Sequence, residues 1–399
     1  THLFVVATLA NVAPTQYSGA GVTPARRRPF INGLSMTTGK HILLDLLASE
    51  GVDIIFGNPG TTELPLMDAM VVEKRIRYIV GLNEVIVMVM ADGYAQASGR
   101  LAVCNLHAAP GLGNAMGMLY NAKKAGSPVL VTAGQQDTTI ALTEPLLWDD
   151  LATMARPLCK WSYEVTRLED LPRAVRRAAK VALTHPTGPV FLSIPGDLLT
   201  NSIDNLDLLA PTRVASGVRG DTAAINFAAE MIAHAQNPVI FAGDAVPRGD
   251  AYAELAELAE LIGAPVYLEG MANTAAFPAS HRLYGGSIPR MTPAYRAALK
   301  DHDLVISVGA DLLTQSQAAG VEALPLGMPL VHIDTDVWEI GKNFPAAAAI
   351  LGEPKTTLPD LSSAVASLMA PATDRADAVA AKLAATKAAL VAKAEAELI

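Results

Sequence analysis

From residue 40 onward, short apolar runs alternate with longer amphipathic stretches. Runs rich in Val, Ile and Phe at 52–56, 76–80, 101–106, 128–133, 160–166 and 189–194 predict strands. Helical spacing at 40–50, 63–73, 84–98, 113–124 and 170–184 predicts helices between most of them. A loop-like stretch at 196–222, with Pro211, Gly217 and Gly220, interrupts the pattern. A second series follows: helix 223–236, strand 238–242, helix 251–262, strand 265–268, helix 292–300, strands 303–308 and 329–333, and helix 357–369. Repeated β–α alternation with right-handed crossovers predicts an α/β protein of two doubly wound domains, their mostly parallel sheets covered by helices on both faces.

The expected division is an extension at 1–36, a first domain at 37–200, a linker at 201–222, a central domain at 223–370 and a helical tail at 371–399. The extension lacks Asp and Glu and shows no sustained period; it loosely resembles a transit peptide but is read as an upstream addition. The tail, rich in Ala, Lys and Glu, is a strong helix former that stops at Ile399 without a capping glycine, so a continuing polypeptide is expected.

Composition supports this picture and narrows the function. With 51% hydrophobic residues and 17% charged, the 399-residue chain can bury large cores. A net charge of −9 excludes a basic footprint for nucleic acid. Arg26-Arg27-Arg28 and the group Arg173, Arg176 and Arg177 read as solvated faces. Cys104 and Cys159 have no metal-type spacing; Cys104 reads as core, and a reducing, cytoplasmic setting is expected. No uncharged apolar run reaches the roughly 18–20 residues needed to span a bilayer.

Three segments carry candidate chemistry. Glu84 interrupts the otherwise apolar run from Ile79 to Met90, where a carboxylate either reaches water or is held inside for chemistry. Phe56-Gly57-Asn58-Pro59-Gly60-Thr61-Thr62-Glu63 follows the first strand and, taken locally, is a tight turn whose threonines can cap a helix while Glu63 favours its N-terminus. Asn105-Leu106-His107 leads into Ala108-Ala109-Pro110-Gly111-Leu112-Gly113-Asn114, a small-residue loop with a titratable ring at its head; Gly111-Leu112-Gly113 is weak evidence for phosphate binding, with no Walker lysine after it. Gly134-Gln135-Gln136 closes the fourth strand. Loops at the carboxyl ends of parallel strands line the ligand crevice, so these segments are expected to converge on one rim with Glu84.

In order and spacing these motifs resemble the thiamine-diphosphate-dependent 2-oxo acid decarboxylase and acetolactate synthase family. Asn83-Glu84 with Ala91-Asp92-Gly93-Tyr94-Ala95 is similar to its activator-glutamate helix. The Asn58-Pro59-Gly60 turn through Glu63-Leu64-Pro65, together with Asn105-Leu106-His107, Gly113-Asn114-Ala115-Met116-Gly117, Val131-Thr132-Ala133-Gly134-Gln135-Gln136 and Lys160-Trp161-Ser162-Tyr163-Glu164, is most similar to its benzoylformate decarboxylases. Val331-His332-Ile333-Asp334-Thr335-Asp336 with Glu339-Ile340-Gly341-Lys342 resembles the central domain.

The resemblance implies roles. Glu84 would hydrogen-bond N1′ of the cofactor aminopyrimidine, and His107 would handle protons at the reacting carbon. Thr61 would lie near the substrate carboxylate; Asn58, Pro59, Gly60, Asn114 and Gln136 would line the cofactor. The cofactor would supply the electron sink for loss of carbon dioxide from a 2-oxo acid, followed by protonation or capture of a second carbonyl compound. Thr61 stands where the benzoylformate decarboxylases carry serine. Gly309-Ala310-Asp311-Leu312-Leu313-Thr314-Gln315-Ser316-Gln317 lacks their second active-site histidine and also the pattern of the FAD-binding synthases, so no flavin is expected. His332 and Asp334 read as packing and capping residues. The family's magnesium-binding Gly-Asp-Gly motif belongs to a third domain that the 399 residues do not encode; Gly243-Asp244-Ala245 is not that motif, and no metal ligands are expected here. A homodimer or homotetramer with its site between subunits is implied, with no nucleic-acid or membrane partner. The alternatives are a non-catalytic or split subunit needing a partner with the diphosphate domain, and a plain nucleotide-binding α/β protein, which would leave Glu84 unexplained.

Overall fold

The computed structural model describes residues 37–215, 217–270 and 272–397; the expected extension at 1–36 lies outside the described residues. Six parallel strands form the first sheet: β1 (Ile54–Gly57), β2 (Arg77–Val80), β3 (Ala102–Leu106), β4 (Val129–Gln135), β5 (Ser162–Glu164) and β6 (Val190–Pro195). Their order is β2-β1-β3-β4-β6-β5. Side chains alternate across the strands, so Ile55, Val103, Leu130 and Leu192 enter one core with helices α1 (Gly39–Ser49), α2 (Leu64–Met70) and α5 (Leu171–Leu183). Phe56, Cys104, Val131 and Phe191 enter the other, beneath α3 (Glu84–Ser98) and α4 (Ala108–Ala125). Burial pushes the Cys104 thiol well above its usual range, as expected of an inert core cysteine.

The second sheet is also wholly parallel. It contains β7 (Pro238–Ala242), β8 (Val266–Glu269), β9 (Tyr284–Ile288), β10 (Leu304–Val308), β11 (Leu330–Asp334) and β12 (Ala348–Leu351), ordered β9-β8-β7-β10-β11-β12. Helices α6 (Thr222–His234), α7 (Tyr252–Ile262) and α9 (Pro354–Leu368) cover one face, and α8 (Thr292–Leu299) packs on the other. A final helix, α10 (Thr373–Glu397), buries only Ala376 and Leu383. The two edge strands β9 and β12 are not legible in the hydropathy pattern. Tyr284-Gly285-Gly286-Ser287-Ile288 carries two glycines, and β12 lies in an alanine run that favours helix. No described helix is long and apolar enough to cross a membrane.

Helix α4 begins at Ala108, five residues earlier than its spacing predicts, because Pro110 and the glycines fall within the first turns, where a missing N–H is tolerated. Gly111 and Gly113 are therefore helical and do not form a phosphate loop. A second correction concerns Arg176, read as part of a solvated face. Its guanidinium is buried, and Nη1 donates to Glu50 Oε1 at 2.6 Å, while Arg213 Nη1 donates to Glu50 Oε2 at 2.6 Å. Arg176 also donates to the carbonyls of Leu208 and Leu209, so the segment after β6 is stitched to the first sheet's helices rather than left loose. The neighbouring Arg177 lies over the Trp161 ring at 5.4 Å.

Removing Glu50 leaves a buried guanidinium without its counter-charge. Glu50→Ala is expected to lower stability by about 3–5 kcal/mol, whereas Glu397→Ala, which breaks the exposed pair with Lys393, should cost under about 0.5 kcal/mol. Urea unfolding of the two variants checks the contrast, and equal losses would contradict it.

Candidate functional site

The carboxyl ends of β1, β3 and β4 are tied together by one buried side chain, Glu63. Its Oε2 accepts the Gly60 N–H at 2.8 Å and faces His107 Nδ1 at 2.9 Å. Its Oε1 accepts the Gly134 N–H at 2.8 Å and the Thr62 hydroxyl at 2.8 Å. Glu63 is 1% exposed. The arrangement needs glycine at two of these positions. A Cβ on Gly134 would stand 2.1 Å from Glu63 Oε1, and one on Gly60 would stand 2.3 Å from the His107 ring. Read locally, Glu63 is a helix N-terminal charge and Thr61 or Thr62 a cap; instead Thr61–Glu63 form a 3₁₀ turn with no side-chain cap. Glu63 is the centre of this rim that local reading misses, because two of its partners lie 44 and 71 positions further along the chain.

Beneath this knot runs a polar ladder. Tyr78 Oη donates to Asn105 Oδ1 at 2.8 Å, and Asn105 Nδ2 donates to Thr132 Oγ1 at 3.0 Å. Gly57 makes room for the Tyr78 hydroxyl, which a Cβ there would meet at 1.9 Å. Asn58 joins three strands: its N–H donates to the Asn105 carbonyl at 3.1 Å and its Nδ2 to the Gly81 carbonyl at 2.7 Å. Immediately after His107, Ala108 takes φ +46°, a left-handed turn that costs an alanine on the order of 1 kcal/mol and turns the chain sharply into α4.

Glu84 reaches the same rim by a different route. The Asn83 side chain accepts the Val85 N–H at 2.9 Å and caps α3, which makes Glu84 the first helical residue. Its Oε2 accepts from Asn114 Nδ2 at 3.0 Å, and Gly111 of α4 lies against it, where an added Cβ would stand in ordinary contact, 3.5 Å from Oε1. The dry wall expected around this carboxylate is only half present. Val87 and Met88 are fully buried, but Leu82, Val85, Ile86 and Val89 face outward, with Leu82 92% exposed. An apolar run that looks like core is thus partly a surface.

The remaining candidates fall around this centre. Thr61 is exposed, and Pro59 and Gly60 form the turn under the His107 ring. Gln136 Nε2 donates to the Leu146 carbonyl at 2.7 Å, folding the 137–150 segment back over the end of β4. Glu164, from the Lys160–Glu164 motif, accepts from Ser193 Oγ at 2.9 Å and Gln135 Nε2 at 3.3 Å.

The second sheet has its own carboxyl edge, where chain order reverses between β7 and β10. That switch point is closed: a Cβ on Gly243 would meet Gly309 O and Ala310 Cα at 2.3 Å. Asp244 is a loop clasp, with Oδ1 accepting from Thr274 Oγ1 at 2.6 Å and Oδ2 from Asn273 Nδ2 at 2.7 Å. Gln315, in the stretch lacking a second histidine, accepts from Thr292 Oγ1 at 2.7 Å. His332 is buried, and burial pushes its ring down to about 4. Asp334 accepts the Asp336 N–H at 2.8 Å while burial raises its carboxyl to about 7. Both act as packing and capping groups of the strand end. Among the described residues no group of three or more His, Cys, Asp or Glu could hold a metal ion.

With this geometry in view, comparison with known proteins is decisive. Residues 37–153 match the thiamine pyrophosphate enzyme N-terminal TPP binding domain, and residues 225–361 match the central domain of the same enzymes. The chain belongs to the thiamine pyrophosphate enzymes. Among its relatives in that family, a benzoylformate decarboxylase of Pseudomonas aeruginosa is 35% identical over 81% of this chain and 61% of its own length. An acetolactate synthase of Mycobacterium bovis is 32% identical over 82% of this chain and 53% of its own. The solved thiamine diphosphate-dependent 4-hydroxybenzoylformate decarboxylase of Rhodococcus jostii RHA1 superposes with a TM-score of 0.77 at 35% identity, covering 82% of this chain and 62% of that one. The chain therefore spans between half and two thirds of the length of these thiamine pyrophosphate enzymes.

Asp334 offers a pH test of the central domain. A folded-state pKa above the unfolded value of roughly 3.9 means that the native state holds the proton more tightly, so this group's contribution to stability falls as pH rises through 4 to 7. Asparagine keeps the acceptor for the Asp336 N–H and does not titrate. The stability of Asp334→Asn relative to wild type should rise by about 2–3 kcal/mol between pH 5 and pH 8; urea titrations at both values check it, and a constant gap would contradict the assignment.

Proposed function

We propose that this chain supplies the pyrimidine-binding half of a thiamine diphosphate site in a non-oxidative decarboxylase or carboligase acting on a 2-oxo acid. The observation that carries the reading is Glu84: a half-exposed carboxylate, fixed as the first residue of a capped helix, with Oε2 held by Asn114 and Oε1 without a hydrogen-bond partner among the described residues. The residues fit the pyrimidine end of the cofactor. A free acceptor, or a donor when protonated, suits a ring nitrogen, and the apolar ledge of Leu82, Val85 and Ile86 suits a planar ring.

When bound, thiamine diphosphate supplies the nucleophilic carbon and the electron sink. Glu84 holds a proton between its carboxyl and the ring nitrogen. His107, at the end of β3, moves protons at the substrate carbon, and Thr61 offers a hydroxyl to the substrate carboxylate. Asn58, Pro59, Gly60 and Gln136 shape the rim. On this reading a further domain, carrying the Gly-Asp-Gly motif that the resemblance implies, would hold the magnesium-bound diphosphate. The exposed apolar face of α3 is where that domain, carried by a second subunit, covers the site and excludes water. On this reading the protein is a homo-oligomer, a homodimer or homotetramer.

Two outcomes test the reading. In the full-length protein, Glu84→Gln should slow exchange of the cofactor's C2 proton by at least about 10²-fold while circular dichroism and unfolding stay unchanged; wild-type exchange would overturn the assignment. The 399-residue chain by itself should bind thiamine diphosphate with magnesium only weakly, with a Kd above about 1 mM by calorimetry. Tight magnesium-dependent binding by the chain alone would show that the diphosphate site lies within it.

A further inference from the structure

We infer that Glu63, with Thr62, is a positioning residue that locks His107 in the Nδ1–H tautomer, leaving Nε2 as the nitrogen that exchanges protons. The inference deepens the thiamine diphosphate reading and rests on it for the identity of the reaction. The hydrogen-bond inventory forces the tautomer. An ionised carboxylate has four lone-pair positions, and Glu63 fills them with the Gly60 N–H, the Gly134 N–H, the Thr62 O–H and His107 Nδ1. Thr62 has one proton, and it goes to Glu63 Oε1 at 2.8 Å. The other atom near His107 Nδ1 is the Thr62 oxygen at 3.1 Å, which then presents only lone pairs. Both atoms facing Nδ1 are acceptors, so Nδ1 carries the hydrogen.

Among the described residues Nε2 has no hydrogen-bond partner, and the His107 side chain keeps 21% of its surface open while Glu63 keeps 2%. In the Nδ1–H tautomer the ring offers a lone pair at its exposed nitrogen, where a proton can be accepted. A proton taken up at Nε2 gives an imidazolium whose Nδ1–H···Oε2 bond becomes charge-assisted; the same proton leaves from Nε2, and Nδ1 never releases its own. The two backbone N–H groups orient the carboxylate, and the carboxylate orients the ring, as an outer partner sets the tautomer of a working histidine. The glycines belong to this device, because only residues without Cβ let the loop after β1 and the end of β4 close on the imidazole and Glu63.

The test is nitrogen NMR on protein labelled with ¹⁵N-histidine, with the His107 signals assigned from His107→Asn. Wild type should show His107 with hydrogen on Nδ1; an Nε2–H tautomer would overturn the inference outright. In Glu63→Gln the amide brings two donors to a site built for acceptors, so the Nδ1–H form should fall from the dominant to a minor species; an unchanged tautomer would overturn it. Should that variant fail to fold, Thr62→Val decides: the tautomer is expected to persist, because Glu63 Oε2 remains, and its reversal would assign the lock to Thr62 and refute the role of Glu63. In the full-length enzyme, Glu63→Gln should lower kcat on its 2-oxo acid by about 10²-fold or more with KM changed less than about threefold, and Glu63→Asp should recover part of the loss; equal losses in both variants would refute the positioning role. The tautomer is read without cofactor or substrate, so it separates this inference from the cofactor reading. A locked Nδ1–H with normal C2 exchange in Glu84→Gln would sink the latter alone.

Discussion

One buried carboxylate holds the rim of the first sheet together. Glu63 gathers four hydrogen bonds from the ends of three strands, two of them from the backbone N–H groups of Gly60 and Gly134. Parallel sheets leave such loops to converge at one edge, but convergence alone does not fix their geometry. A shared acceptor does. It draws the Asn58-Pro59-Gly60 turn under the His107 ring and the Gly134 backbone against the Thr62 hydroxyl, and it requires glycine wherever two of these groups must touch. On the proposed reading the chemistry of the site depends on this knot, because it fixes the position of the imidazole.

The second requirement is a surface that looks like a core. The run from Ile79 to Met90 is apolar enough to be buried all round, yet α3 gives only part of itself to the first sheet. Leu82, Val85, Ile86 and Val89 remain outside, beside the only carboxylate in the segment. An apolar face that costs free energy in water and borders a functional group is best understood as half of a site. On the proposed reading the carboxylate's surroundings are completed from elsewhere, which would reconcile a partly solvated Glu84 with the dry setting that chemistry needs.

Much of this is legible in the sequence. The strand-end positions of Asn58, His107 and Gln136 follow from β–α alternation, and the parallel sheets from the same pattern. Glu84 stands out because apolar neighbours make a charge conspicuous. What stays hidden is whatever depends on distant partners. Glu63 looks like an ordinary helix-start acid beside Leu64-Pro65, and Arg176 looks like one of several exposed arginines until Glu50 is found 126 positions earlier. Edge strands β9 and β12 escape for a different reason: glycine and alanine give them no strand signature, and only pairing with β8 and β11 makes them strands.

The central claim is that the rim tied by Glu63 and the carboxylate of Glu84 form the pyrimidine half of a cofactor site that another domain completes. A crystal structure of the full-length protein with thiamine diphosphate and magnesium tests it most directly. The account predicts the Glu84 carboxyl within about 2.6–3.2 Å of the aminopyrimidine ring nitrogen, the α3 apolar face covered, and the four bonds of Glu63 unchanged. An aminopyrimidine bound away from Glu84, or a Glu63 released from His107 when the cofactor binds, would contradict it.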